Sequence, residues 1–148
     1  MSNPNALSFE TTILVRDTCL CLHLQRAARA VARRFDEALR PLGLSSGQFS
    51  LLMSLNRPKP PTIGQVAAVL AMDRTTLTAN LKPLTRRGFV EIRVDTADRR
   101  SRRLVLTPTG RSLLGEALPI WQREHAAIDR LVPNADADHF RAELRALS

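Results

Sequence analysis

Cysteine is scarce in this chain: Cys19 and Cys21 are the only two. Two are too few for a disulfide framework. Within a helix, positions i and i+2 project about 200° apart, so the pair is poorly placed to bridge or to share a metal. The three histidines, His23, His125 and His139, form no HxxxH or HExxH pattern, and neither a metal nor another cofactor is expected. Long apolar runs are missing as well. None approaches the roughly 20 residues of a membrane span. The opening MSNPNALSFETTILV has neither the basic start nor the apolar core of a signal peptide, so a cytoplasmic protein with no membrane partner is expected. GxSxG, P-loop and GxGxxG motifs are absent, and no pair of carboxylates lies in an apolar setting. The sequence offers no catalytic residues, and an enzyme is not expected.

Acid is also in short supply. Fourteen Asp and Glu stand against 22 Lys and Arg, for a formal charge of +8 and a pI of about 11.3. That balance favours a polyanionic partner, nucleic acid before membrane. The 148 residues suffice for one domain with a real core.

What is present is mostly helical. Leu20, Leu24, Ala27, Ala28, Val31, Phe35 and Leu39 recur at spacings of three and four, which predicts a helix capped by Asp17 or Thr18 and running to about Arg40. Arg26, Arg29, Arg33 and Arg40 lie on its other face, and Pro41 and Gly43 end it. In LGLSSGQF, Ser45 with Gln48 reads as a capping box, and Leu44 with Phe49 as a hydrophobic staple. A short helix over Ser46 to Leu55 follows. After the proline-rich NRPKPP, Thr62 and Gln65 form a second capping box, opening a helix from Ile63 to Leu70. AMD then makes a tight turn, Asp73 caps the next helix, and Leu77, Leu81 and Leu84 form its buried face. Gly88 ends it as a C′ residue. Two short helices in this relation read as a helix-turn-helix. Pro83, inside the second of them, lacks the amide that would bond the Ala79 carbonyl. A kink or break is expected there, leaving Arg74 to Lys82 to enter a DNA groove.

FVEIRV (Phe89 to Val94) and RLVLT (Arg103 to Thr107) alternate apolar and polar residues as half-buried strands do. A hairpin directly after the helix pair makes a winged helix. Its tip is VDTADRRSRR, in which Asp95 and Asp98 are set among arginines. An arginine at a wing tip can enter the minor groove, and a carboxylate two residues away can fork to its guanidinium and preset its pose. Asp98 and Arg100 have that spacing. The other tip arginines, Arg99 and Arg102 among them, suit phosphates. On the recognition helix, Arg74, Thr75, Thr76, Thr78 and Asn80 suit base edges or phosphates, and Lys82 a phosphate. Beyond the wing, Thr107 caps a helix with Pro108 at its first position. This helix runs to about Leu131 with Leu114, Ala117, Leu118, Trp121, His125, Ile128 and Leu131 as its stripe. Pro133 and Asn134 break it, and a last helix carries Phe140, Leu144 and Leu147. A winged helix alone cannot cover so long a helix. Either the first helix or a second chain packs on it.

Taken together, LGLSSGQFSLLMSL, DRTTLTANLKPLTRRGFV and DTADRRSRRLVLTPTG resemble, in order, the second helix, recognition helix and wing of the MarR family of multiple antibiotic resistance regulators. The resemblance extends over about Thr18 to Leu147, and the family's Asp-x-Arg wing pattern falls on Asp98 and Arg100. It implies a mainly α, winged helix-turn-helix protein with a two-stranded β-hairpin wing. The DNA-binding lobe would span 45–107, and dimerisation helices would span 17–42 and 108–148. It further implies a homodimer on double-stranded DNA, with one recognition helix per half-site of a pseudo-palindromic operator. A repressor released by a small-molecule effector, often an aromatic anion in this family, is the expectation, with His23, Arg26 and Phe49 as candidate pocket residues. The alternative is a thiol-based redox regulator. The family's hydroperoxide-sensing branch carries a reactive cysteine where Cys21 aligns. That branch holds its cysteine with two tyrosines, whose positions here are Gln25 and Phe35, and this chain contains no tyrosine. Cys21 is therefore expected to be a packing residue beside the pocket.

Overall fold

The computed structural model describes residues 7–148. Its first helix, α1 (Phe9–Thr18), begins where the Ser8 side chain accepts the Thr11 amide at 3.3 Å. Asp17 and Thr18, read from the sequence as caps of the next helix, instead close this one. Asp17 pairs with Arg16 at 2.7 Å, and the Thr18 hydroxyl donates to the Leu14 carbonyl at 2.6 Å. The run Thr11, Thr12, Ile13 and Val15 is β-branched and a poor helix former, so neither propensity nor period announces α1. Cys19 alone separates it from α2 (Leu20–Leu39). With φ −66° and ψ 107°, Cys19 is the N-cap of α2 and supplies no side-chain bond. The helical-wheel separation of Cys19 and Cys21 expected from the sequence therefore does not apply.

A 3-10 turn, Arg40–Leu42, and Gly43 at φ 65° end α2. Both capping boxes form as the sequence predicts. Ser45 and Gln48 open α3 (Ser46–Ser54), and Thr62 and Gln65 open α4 (Ile63–Val69). The Met72 amide reaches back to the Ala67 carbonyl at 2.9 Å, and the Ala71 amide to the Ala68 carbonyl at 3.2 Å. This double closure needs a left-handed residue, and Ala71 takes that role at φ 49°. Asp73 then caps α5 (Arg74–Arg86), accepting the Thr76 amide at 2.8 Å.

The break expected at Pro83 does not occur: α5 runs unbroken to Arg86. Leu77, Leu81 and Leu84 lie on both sides of the proline and are buried at 0–1% exposure. That packing outweighs one missing hydrogen bond. The orphaned carbonyl belongs to Ala79, an exposed residue, where water can replace the lost donor.

Gly88, at φ 78°, turns the chain into β1 (Val90–Val94), which pairs antiparallel with β2 (Arg102–Leu106) in the register Val90↔Leu106, Ile92↔Leu104, Val94↔Arg102. Burial of this hairpin's apolar residues is uneven. Val90, Leu104 and Leu106 join the core, while Ile92 and Val94 are exposed, so the half-buried reading of β1 holds for its first residue alone. The core is filled by Leu39, Leu44, Phe49, Leu51, Leu52, Leu55, Val66, the α5 leucines, the hairpin base, Leu114 and Ala117. It lies in the winged-helix lobe and where the C-terminal end of α2 and the first half of α6 pack on it.

α6 (Pro108–Asp129) starts at Thr107, whose hydroxyl accepts the Gly110 amide at 3.0 Å, with Pro108 at the first turn. Its 22 residues span about 33 Å at 1.5 Å per residue. α2 packs along it, and Arg34 Nε meets Glu124 Oε1 at 2.7 Å. α2 thus covers part of α6 within one chain. A 3-10 turn, Pro133–Ala135, with Asn134 at φ 62°, leads to α7 (Ala137–Arg145). α1 and α7 bury none of their residues, and α2 only Leu39.

The wing and α6 meet at Gly110. A Cβ there would run into the Phe89 carbonyl oxygen and come within 2.8 Å of Leu106 Cδ1. The same carbonyl accepts the Thr107 amide at 3.1 Å. Gly110→Ala is expected to lower the unfolding free energy by about 1–3 kcal/mol, the usual cost of overfilling a packed site. Urea unfolding followed by circular dichroism measures it, and an unchanged midpoint would show that the backbone yields without cost.

Candidate nucleic-acid interface

Burial of the leucine face of α5 turns its polar face outward. Arg74, Thr75, Thr78, Ala79 and Lys82 line one open depression on that face, as the spacings 74, 75, 78 and 82 require of one side of a helix. Thr76 and Asn80 occupy the flank. The threonines are not equivalent. The Thr76 hydroxyl donates to Asp73 Oδ2 at 2.8 Å as part of the cap, and the Thr78 hydroxyl donates back to the Arg74 carbonyl at 2.8 Å. Both therefore present their methyl groups outward more readily than their protons. Among the described residues the Thr75 hydroxyl has no such intramolecular partner. The Asn80 amide rests on Met72 Sδ at 3.6 Å. Asp73 takes hydrogen bonds from the Thr76 amide and then the Thr76 hydroxyl, which hold its carboxyl below the ordinary range. The cap therefore stays charged at neutral pH. A fixed negative charge at the start of α5 complements the helix dipole.

The wing departs from the sequence reading in one important respect. No fork joins the Asp98 carboxylate to the Arg100 guanidinium. Asp98 Oδ1 instead accepts the Arg100 backbone amide at 3.0 Å, and the Asp98 carbonyl accepts the Ser101 amide at 2.9 Å. A short side chain closing on an amide two residues on is an Asx turn, which local geometry favours over stretching to a long mobile guanidinium. Asp98 thus shapes the backbone that carries Arg100. Arg99 and Arg100 stand exposed at the tip. Arg102 folds back, donating to the carbonyls of Arg99 at 3.1 Å and Ser101 at 3.3 Å.

Two wing carboxylates do pair with arginines: Glu91 with Arg93 at 2.9 Å on the exposed strand, and Asp95 with Arg103 at 3.1 Å. Nothing in the local sequence of Asp95 or Arg103 marks either residue as a site, although both lie within VDTADRRSRR. Hairpin register decides the pairing, since Asp95 directly follows β1 and Arg103 faces Arg93 across the ladder. The Ala97 amide first, then Arg103, hold the Asp95 carboxyl below its usual range against the opposing effect of desolvation. Other arginines are structural. Arg87 donates to the Gly43 carbonyl at 2.6 Å and lies over the Phe89 ring at 4.7 Å.

A groove of about 470 Å³ opens between α3, α4 and α6, lined by Phe49, Ser50, Met53, Ser54, Val69, Leu70, Leu118 and Trp121. Phe49 stacks on Trp121 with centroids 6.2 Å apart, and Trp121 on His125 at 4.5 Å. Of the three candidate pocket residues only Phe49 lines this groove. His23 and Arg26 are exposed on the first half of α2, and the His23 ring nitrogen Nδ1 bonds the Cys19 carbonyl at 2.8 Å. Cys21 is exposed and does not line the groove, while Cys19 is half-buried. Among the described residues no helix is long and apolar enough to cross a membrane, and no cluster of three potential metal ligands occurs.

Residues 42–101, the helix-turn-helix and most of the wing, match the model of the MarR family. The fold superposes with a TM-score of 0.79 on the transcriptional regulator MosR of M. tuberculosis in complex with DNA, at 36% identity over 87% of this chain and 92% of that one. Among curated proteins, the uncharacterized HTH-type transcriptional regulator YwoH of Bacillus subtilis (strain 168) is 33% identical over 84 residues, 57% of this chain and 61% of its own length. The transcriptional repressor MprA of Escherichia coli (strain K12) is 31% identical over 104 residues, 69% of this chain and 57% of its own length. The chain therefore spans about three fifths of these two relatives.

The Asx turn gives a direct test of wing-tip order. Asp98→Ala removes the acceptor of the Arg100 amide, and a hydrogen bond to a charged group is worth about 1.5–3 kcal/mol. Amide exchange at Arg100 should quicken roughly tenfold or more, with α5 amides unchanged. Equal protection in parent and variant would show that Asp98 does not order the tip.

Proposed function

The chain belongs to the MarR family of transcriptional regulators, and on that premise we propose that it is a homodimeric repressor that binds a pseudo-palindromic operator in double-stranded DNA in the cytoplasm and is released by a small effector. The observation that carries this reading is the division of α5 into two faces. Three fully buried leucines fix the helix in the lobe, and Arg74, Thr75, Thr78 and Lys82 are exposed on the outside, next in sequence to a hairpin tipped by Arg99 and Arg100. Threonine methyls suit thymine methyls, Asn80 suits adenine, and the lysine and arginines suit phosphates or a narrow minor groove. The MosR–DNA likeness supports DNA as the partner, and the MprA likeness supports repression.

Dimerisation is supported by apolar surface left open on the terminal helices. Phe9, Leu14 and Val15 on α1, Leu20 on α2, Leu131, and Phe140 and Leu147 near the C-terminus are all exposed. They occur on segments that contribute almost nothing to the lobe's core. Exposed large apolar side chains on the terminal helices suit an interaction site, and a second copy would place two α5 helices on successive turns of DNA about 34 Å apart. The effector reading rests on the groove beside Trp121. Its lining is aromatic and aliphatic with two serines and no charged side chain, so a neutral aromatic compound suits it better than the aromatic anion expected from the sequence. The boundaries follow: 45–107 as the DNA-binding lobe, with 17–42 and 108–148 as dimerisation segments, to which α1 is added.

A second reading, a thiol-based redox regulator using Cys21, is favoured by one observation. Cys21 is exposed in the first turn of α2, two residues after the non-helical Cys19, and reactive cysteines need such access.

Footprinting on the DNA upstream of the gene, with anisotropy over a salt series, tests the main reading. A two-fold footprint, a steep loss of affinity with salt and a dimer by light scattering are expected. Arg100→Ala should weaken binding by about 1–3 kcal/mol per half-site. A compact monomer, or binding indifferent to salt, would overturn it. For the second reading, stoichiometric organic hydroperoxide should release the parent from DNA and leave Cys21→Ser bound. Retention by both discards the redox role, and equal release places the oxidation elsewhere, with Met72 beside α5 a candidate.

A further inference from the structure

Asp95 is the one buried charged residue among those described, at 8% exposure. It follows β1 directly, at the end of the ladder away from the hairpin base, where the strand turns into the wing tip. Its Oδ1 accepts the Ala97 amide at 3.1 Å, and its Oδ2 faces Arg103 Nη2 at 3.1 Å. The guanidinium is shared, because Arg103 Nη1 also donates to the Pro60 carbonyl at 2.9 Å. Alongside, the Leu104 amide bonds the Pro61 carbonyl at 2.9 Å, and Thr62 forms an isolated bridge with Arg103. Three segments therefore meet at the Arg103 side chain: the start of the wing-tip turn, the returning strand, and the loop between α3 and α4.

The loop is suited to being the fixed partner. Pro60 and Pro61 have restricted φ and no amide hydrogen, so they offer carbonyls on a stiff backbone. The wing needs such a partner. Ile92 and Val94 are exposed, so little apolar packing holds the hairpin beyond its base, and an isolated two-stranded hairpin is marginal in water. A carboxylate this shielded also carries a penalty if left alone, which favours the closed arrangement over a splayed one.

We propose that Asp95 and Arg103 form a clasp that positions the wing for DNA recognition. By fixing the hairpin to the Pro60–Pro61 loop, the pair sets where Arg100 is delivered relative to α5, and neither residue touches DNA. This rests on the DNA-binding reading above.

The test is a double-mutant cycle on the full chain, with anisotropy on the footprinted duplex at fixed salt. Asp95→Asn removes a negative charge and would by electrostatics alone tighten binding to a polyanion. The clasp predicts the opposite, a loss of about tenfold, and a similar loss for Arg103→Gln, within the range of one mispositioned wing contact. In an Arg100→Ala background both losses should shrink to within about twofold, since coupled sites are not additive. The salt slope of Arg103→Gln should match the parent's, because Arg103 is not on a phosphate. Tighter binding by Asp95→Asn, equal losses in both backgrounds, or a slope reduced by about one would overturn the clasp. Hydrogen exchange on the free protein decides the case even if no duplex is bound, a result that would sink the DNA-binding reading instead. Asp95→Asn should speed exchange at Ala97 and Leu104 and spare α5, and unchanged exchange at those two amides would remove the clasp.

Discussion

The leucine face of α5 is the constraint on which the rest of this structure depends. Leu77, Leu81 and Leu84 are in contact with water over no more than 1% of their surface. Burying three such side chains contributes about 1.5–3 kcal/mol each. Its first consequence is rotational: with one face sealed in the lobe, Arg74, Thr75, Thr78 and Lys82 have to face outward. Its second is that the helix survives Pro83. Isolated, an interior proline costs about 3 kcal/mol, less than the burial of the three leucines together, and the carbonyl it orphans lies where water reaches.

Around α5 the chain uses local closures to end each element where the next must start. Capping boxes at Ser45 and Thr62, the Asp73 cap, left-handed Gly43, Ala71 and Gly88, and Thr107 with Gly110 each satisfy helix-end groups that would otherwise be unpaired. These closures confine the connections to a few residues. Short connections make the lobe rigid enough for a recognition surface spread over α5 and a hairpin.

The terminal helices follow another logic. α2 packs along α6 and is tied to it by Arg34 and Glu124, but α1, the first half of α2 and α7 keep apolar side chains exposed. A lobe that closes its own core and terminal helices that do not suit a molecule whose two binding surfaces are set at a fixed spacing by a second copy. The groove between Phe49 and Trp121 lies at the junction of the two regions, where an occupant would bear on both α3 and α6.

Most of the winged-helix lobe was legible in residue order. Capping boxes, the Asp73 cap, the buried leucines of α5, Gly88 and the Thr107–Pro108 start of α6 depend on neighbours within about four positions, and local hydrogen-bond chemistry suffices to specify them. What residue order could not settle depends on partners far away in sequence. Whether Pro83 breaks α5 is decided by packing on both its sides. Whether Arg103, rather than Arg100, takes a wing carboxylate is decided by hairpin register and by Pro60, 43 positions distant. The β-branched residues of α1 argue locally against a helix there, and the break that frees Cys19 leaves no glycine or proline as a mark. His23 and Arg26 were grouped with Phe49 on chemistry alone, but α2 carries them away from the groove that Phe49 lines. The sequence by itself determined the elements, their caps and the basic wing, because those obey short-range sterics and hydrogen bonding. Tertiary structure alone decided which charges pair and which face the solvent, because a long side chain has many acceptors within reach until packing leaves it one.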